Sequence, residues 1–157
     1  MNKIISYLIF VLLITVSNIT FANSSALMIN KIIVPEAPPV ASVMAAYMDI
    51  TNKSKKAKVI KHISSPQFKR VEIHSMSMDN GMMKMEQLQT LTVQAGKTVK
   101  LETGGLHIML IKPIQTLKHG NNVELTFTLV SGEIITVSTA VQKIDLSNST
   151  SHKHHHH

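Results

Sequence analysis

From Val123 onward the chain alternates. Val123, Leu125, Phe127 and Leu129 take turns with Glu124, Thr126 and Thr128, and Ser131-Gly132 then leads into a β-branched run from Ile134 to Val141. A period of two is what a strand with one buried face requires, and two such runs around a glycine turn make a hairpin. The same reading predicts strands over 46–51, 59–64, 68–76, 90–93, 98–101 and 107–111. Between them stand Pro66, Gly81, Gly96, Gly104-Gly105, Pro113 and Gly120, residues that turn or break a strand. No long run has helical periodicity outside the N-terminal segment, so the pattern predicts an all-β sandwich or barrel.

Residues 1–22 read as a secretory signal: Asn2-Lys3, an apolar run from Ile4 to Val16, then Thr20-Phe21-Ala22 as a small-x-small cleavage site. A spanning helix needs about 20 consecutive apolar residues, and this run breaks at Ser17-Asn18. The expected organisation is a signal over 1–22, one β-sandwich domain over 23–146 and a polar tail over 147–157. Cleavage would leave an exported protein with no stable membrane insertion, and a monomer is expected.

Composition narrows the chemistry. The formal net charge is +7, and Lys53, Lys55, Lys56, Lys58, Lys61, Lys69 and Arg70 fall in a stretch without an acidic residue. A basic surface alone would suit nucleic acid, but beyond the signal the aromatic residues are only Tyr47, Phe68 and Phe127, too few for base stacking. The stretch reads as a solvated strand connection or as a docking face for an acidic partner or anionic headgroups. Pro35-Glu36-Ala37-Pro38-Pro39 is too proline-rich for an inner strand and predicts an edge or loop. There is no cysteine, which excludes disulfides, thiolate zinc sites, a cysteine nucleophile and the His₂Cys site of a blue-copper electron carrier. Gly-x-Ser-x-Gly, His-Glu-x-x-His and phosphate-cradling glycine loops are also missing, so no enzyme is expected.

Methionine is abundant, with 10 in the chain and five between Met76 and Met85. A core rarely needs so many unbranched side chains so close together. In a strand, His107 and Met109 emerge on one face while Ile108 and Leu110 take the other. The same parity groups Glu72, His74 and Met76 against Val71 and Ile73. Thioether sulfur is soft and imidazole borderline, and such donors favour copper, above all Cu(I), over magnesium, calcium or manganese.

The spacing His74, ten residues, Met85, twenty-one residues, His107, one residue, Met109 resembles the H-x10-M-x21-H-x-M signature of the periplasmic PCu(A)C copper chaperones. Ala46-Tyr47-Met48 with Ile50 and Asn52, Gly81-x-Met83-x-Met85, Ala95-Gly96 and Gly104-Gly105-x-His107 are similar to the family's sequence around it, over roughly 29–144. The start of the domain departs, with Val34-Pro35-Glu36 where many members carry Trp or Arg before a proline pair. The resemblance implies a cupredoxin-like Greek-key β-sandwich binding one Cu(I) through His74, Met85, His107 and Met109. It further implies periplasmic delivery of copper to the binuclear copper centre of a terminal oxidase, directly to a copper-accepting oxidase subunit or through a second copper chaperone.

Met82 or Met83 could replace Met85 as a ligand, and Met76 and Met78 read as an apolar collar or transfer surface. His62 and His119 read as ordinary surface histidines. In the tail, His152, His154, His155, His156 and His157 form an imidazole cluster suited to Cu(II), a possible second metal site. Copper storage or resistance, with that tail as a Cu(II) sink, is the alternative function.

Overall fold

The computed structural model describes residues 27–79 and 81–143, which excludes the signal, the tail and both expected domain boundaries. The described residues contain ten strands and no helix: β1 (Leu27–Pro35), β2 (Val43–Asn52), β3 (Lys58–Ser64), β4 (Phe68–Asp79), β5 (Met82–Leu88), β6 (Leu91–Val93), β7 (Thr98–Leu101), β8 (Leu106–Pro113), β9 (Asn122–Leu129) and β10 (Ile134–Gln142).

The strands run in the order β5-β4-β8-β2-β1-β10-β9-β3-β6, with β7 paired to the second half of β2. The path doubles over at β1. Its first residues pair antiparallel with β2, from Leu27 opposite Asn52, and its last pair parallel with β10, Val34 opposite Val141. Between these two registers the strand bulges, with Lys31 at a positive φ of 52° and its Nζ 2.9 Å from Asp49 Oδ2. The hydrogen bond and charge of Asp49 hold the Lys31 ammonium above its ordinary pKa.

Folding over at β1 encloses one core. Met48, Ile50, Ile108 and Leu110 from β2 and β8 are fully buried, as are Ile60, Leu125, Phe127 and Leu129 from β3 and β9. Each such side chain contributes roughly 1.5–3 kcal/mol relative to exposure. The alternation that predicts β9 is the burial alternation itself, since Val123, Leu125, Phe127 and Leu129 are buried and their neighbours are not. The predicted hairpin forms with Gly132 at φ 87° in its turn, and Ile134 stands opposite Thr128.

Asn52 is the polar exception inside this core. Its Nδ2 donates to the carbonyls of Lys56 and Val93, each at 2.9 Å, and its Oδ1 accepts from the Ser54 N–H and hydroxyl at 2.9 and 2.7 Å. A fully buried amide is tolerated because every one of these bonds is made, and they shape the turn from β2 into β3.

Two strands stand where the periodicity predicted none. In β5 six of the seven residues are exposed, so neither face has an apolar repeat to read. In β1 the bulge between Asn30 and Ile33 breaks the alternation. The proline-rich segment behaves as expected, with β1 ending at Pro35 and an irregular link leading to β2.

Candidate metal centre

β8 is a central strand, and its parity is the one expected. Ile108 and Leu110 are wholly buried in the core, and His107 and Met109 occupy the other face. β4 pairs antiparallel with β8 so that His74 stands directly opposite His107 and Glu72 opposite Met109. β5 pairs with the other edge of β4, placing Met85 opposite Met76 and Gln87 opposite His74. Directly opposed residues in an antiparallel pair share a face. Glu72, His74, Met76, Met85, His107 and Met109 therefore all project from one side of three adjacent strands, the side away from the core.

The two imidazoles are close, with ring centroids 6.0 Å apart and planes inclined by 33°. Each is oriented by one nitrogen. His74 Nε2 donates to Glu72 Oε2 at 2.9 Å, while Glu72 Oε1 lies 3.4 Å from Arg70 Nε. With its proton on Nε2, the neutral ring carries its lone pair on Nδ1, and this atom is buried and has no hydrogen-bond partner among the described residues. His107, only 8 % exposed, donates from Nδ1 to the Gly105 carbonyl at 3.1 Å, which leaves Nε2 as its lone-pair nitrogen. That carbonyl also accepts the Met76 N–H at 3.1 Å, so one oxygen fixes a ring on β8 and the backbone of β4 together. A second hydrogen bond fixing the ring of a ligating histidine is the usual support for a metal-binding imidazole.

Met76, Met85, His107 and Met109 line one open cleft of about 700 Å³, whose lining also includes Tyr47 and the 35–38 segment. His74 is not on its wall but lies beside His107. Met85 is 52 % exposed and Met109 partly buried. The four residues of the sequence signature thus share one face and one neighbourhood. His62 and His119 lie outside it, both exposed, His119 with its Nδ1 3.2 Å from the Val141 carbonyl. The tail histidines lie outside the described residues.

Among the described residues no three His, Asp or Glu side chains gather as a metal-binding group. The available donors are two imidazole nitrogens and several thioethers, a set with the softness for a monovalent copper ion. Glu72 is the neighbour of the candidate site whose hydrogen bond the sequence did not reveal. Its i, i+2 spacing to His74 shows a shared face, but the hydrogen bond depends on side-chain rotamers that spacing does not encode.

A family described as LpqE-like, a lipoprotein family, matches residues 27–141. The chain belongs to the LpqE-like family. Among solved structures, this LpqE-like chain is similar to the solution structure of CuI-DR1885 from Deinococcus radiodurans, at 29 % identity and a TM-score of 0.62 over 78 % of this chain and 83 % of that one. The apo form of DR1885 is similar at 27 % identity and a TM-score of 0.60, over 79 % and 83 %. The copper-bound PCuAC domain from PmoF2 shares the fold, with a TM-score of 0.64 at 16 % identity over 76 % of this chain and 94 % of that one. The LpqE-like chain therefore has the cupredoxin-like β fold of PCuAC domains. No curated protein matches it.

Proposed function

We propose that this protein is an exported copper carrier that holds one Cu(I) through His74, Met85, His107 and Met109 and passes it to an acceptor. The observation that carries the reading is the register placing His74 opposite His107, each ring turned by a hydrogen bond so that one nitrogen is left free. The solved structure of a relative in its Cu(I) form supports the choice of metal.

All four donors are neutral, so the bound ion keeps a single positive charge, and two of the four have no proton to lose on binding. The exposed Met85 and the open cleft suit transfer by ligand exchange. An incoming thiolate or thioether can displace the outer sulfur first, while the imidazoles on β4 and β8 hold the ion until the acceptor's second ligand arrives. No change of oxidation state is needed. The acceptor in this reading is the binuclear copper centre of a terminal oxidase in the periplasm, reached directly or through a second, thiol-bearing chaperone.

Copper K-edge absorption on the Cu(I)-loaded protein tests the site, and mixed sulfur and nitrogen neighbours are expected. A shell of light atoms alone refutes it. Delivery is tested by mixing the loaded protein with the metal-free copper domain of an oxidase subunit, with and without a thiol-bearing chaperone, then separating the proteins. Copper retained by the carrier in both mixtures refutes the oxidase as recipient.

A further inference from the structure

The β4–β5 hairpin carries more sulfur than the carrier site uses. Met76 stands opposite Met85, and two pairs nearer the turn Met78 stands opposite Met83. Alternate residues of a strand share a face, and so do opposed ones, so these four thioethers form a two-by-two ladder on one side of the hairpin. Lys84 and Glu86 take the other side, with Nζ and Oε1 3.5 Å apart. Met78 is 69 % and Met83 61 % exposed, whereas Met76 is partly buried and borders the cleft.

Burial does not account for Met78 and Met83, because neither reaches the core. Strand propensity does not either, since β-branched and aromatic residues are the ones enriched in strands. What a thioether offers and leucine does not is a soft donor. Opposed Cβ atoms lie about 4.5–5.5 Å apart, and methionine's three rotatable bonds let two facing sulfurs, with a third from the next pair, close on one ion. We infer that Met76, Met78 and Met83 form a second, all-thioether Cu(I) site on the hairpin. It is weaker than the His/Met centre, because it is exposed and has no imidazole, and it adjoins that centre where Met76 faces Met85. It goes beyond the carrier site and stands or falls separately from it.

The test is an anaerobic titration of the protein with Cu(I) against a coloured chelator, with X-ray absorption read after the first and second equivalents. The wild type should take a second, weaker equivalent whose neighbours are sulfur only. Met78→Leu/Met83→Leu should lose that equivalent and keep the first, with an unchanged melting temperature because both side chains are exposed. His74→Leu/His107→Leu should lose the first equivalent and keep the sulfur-only one. Saturation of the wild type at one equivalent overturns the inference, as does a second equivalent with nitrogen neighbours or one that survives in Met78→Leu/Met83→Leu. A first equivalent without nitrogen neighbours would instead overturn the His/Met carrier site.

Discussion

Glu72 and His74, two residues apart on β4, are joined by a 2.9 Å hydrogen bond from Nε2 to Oε2 that determines which imidazole nitrogen keeps its lone pair free. A carboxylate behind a ligating histidine fixes its tautomer and the orientation of its ring. Glu72→Gln should therefore weaken Cu(I) binding by about 10-fold, within the about 10–100-fold range for such partners, and Glu72→Ala should weaken it further. Chelator competition measures both, and affinities equal to wild type would show that Glu72 serves only its contact with Arg70.

Met85→Leu and Met109→Leu exchange a thioether for an apolar side chain of similar size. Each should cost under about 1.5 kcal/mol of stability in urea unfolding. Each should also lower Cu(I) affinity by at least the about 10–100-fold seen when an outer-shell partner is lost. Unchanged affinity in Met85→Leu, with a loss in Met83→Leu, would move the ligand to the neighbouring methionine.

Acidification should act through the rings alone. Protons compete with the metal for an imidazole lone pair and not for a thioether, so affinity should be lower at pH 5 than at pH 7.5. A titration with the same affinity at both values would remove the histidines from the site.

Asn52 gives a prediction about the fold rather than the metal. Asn52→Leu removes the bonds to Lys56, Val93 and Ser54, and at the buried bond, the one to the Val93 carbonyl, it costs about 1–3 kcal/mol. Chemical denaturation should show a loss of at least that size. Cu(I) affinity measured well below the transition should stay at its wild-type value, since Asn52 lies at the far end of β2 from Ala45, which pairs with Met109.

The tail carries the alternative, storage reading. If His152 and His154–His157 form a Cu(II) site, cutting after Asp145 should abolish Cu(II) binding and leave Cu(I) binding intact. Equilibrium dialysis with each oxidation state separates the two. Cu(II) binding that survives the cut would place that metal in the folded domain.

The strands with one apolar face were legible in the sequence. The segment 98–101 matches β7, and 59–64 and 107–111 fall inside β3 and β8. The parity of 107–110 was legible for the same reason, because Ile108 and Leu110 must point into the core. β5 was not, because an edge strand exposed on both sides has no hydrophobic period. A different signal could have found it: two residues, Asn80-Gly81, separate the paired Asp79 and Met82, and Asn-Gly is a strong hairpin signature. The Glu72–His74 bond, the doubly used Gly105 carbonyl and the place of the 35–38 segment in the cleft lining depend on tertiary placement, which local spacing does not record.

The register of the β4–β5 hairpin also governs which length changes this lineage can inherit. With a two-residue turn, position 76 must meet 85, so the ten-residue gap between His74 and Met85 follows from hairpin geometry. A deletion of one residue in either strand would turn every side chain beyond it to the opposite face and send a sulfur donor to the wrong side of the sheet. The longer gap from Met85 to His107 runs through β6 and β7, which lend no donor to the centre and pair with β3 and β2 instead. Insertions should therefore accumulate in the connections around those two strands, and the hairpin's length should drift least among descendants that still load copper.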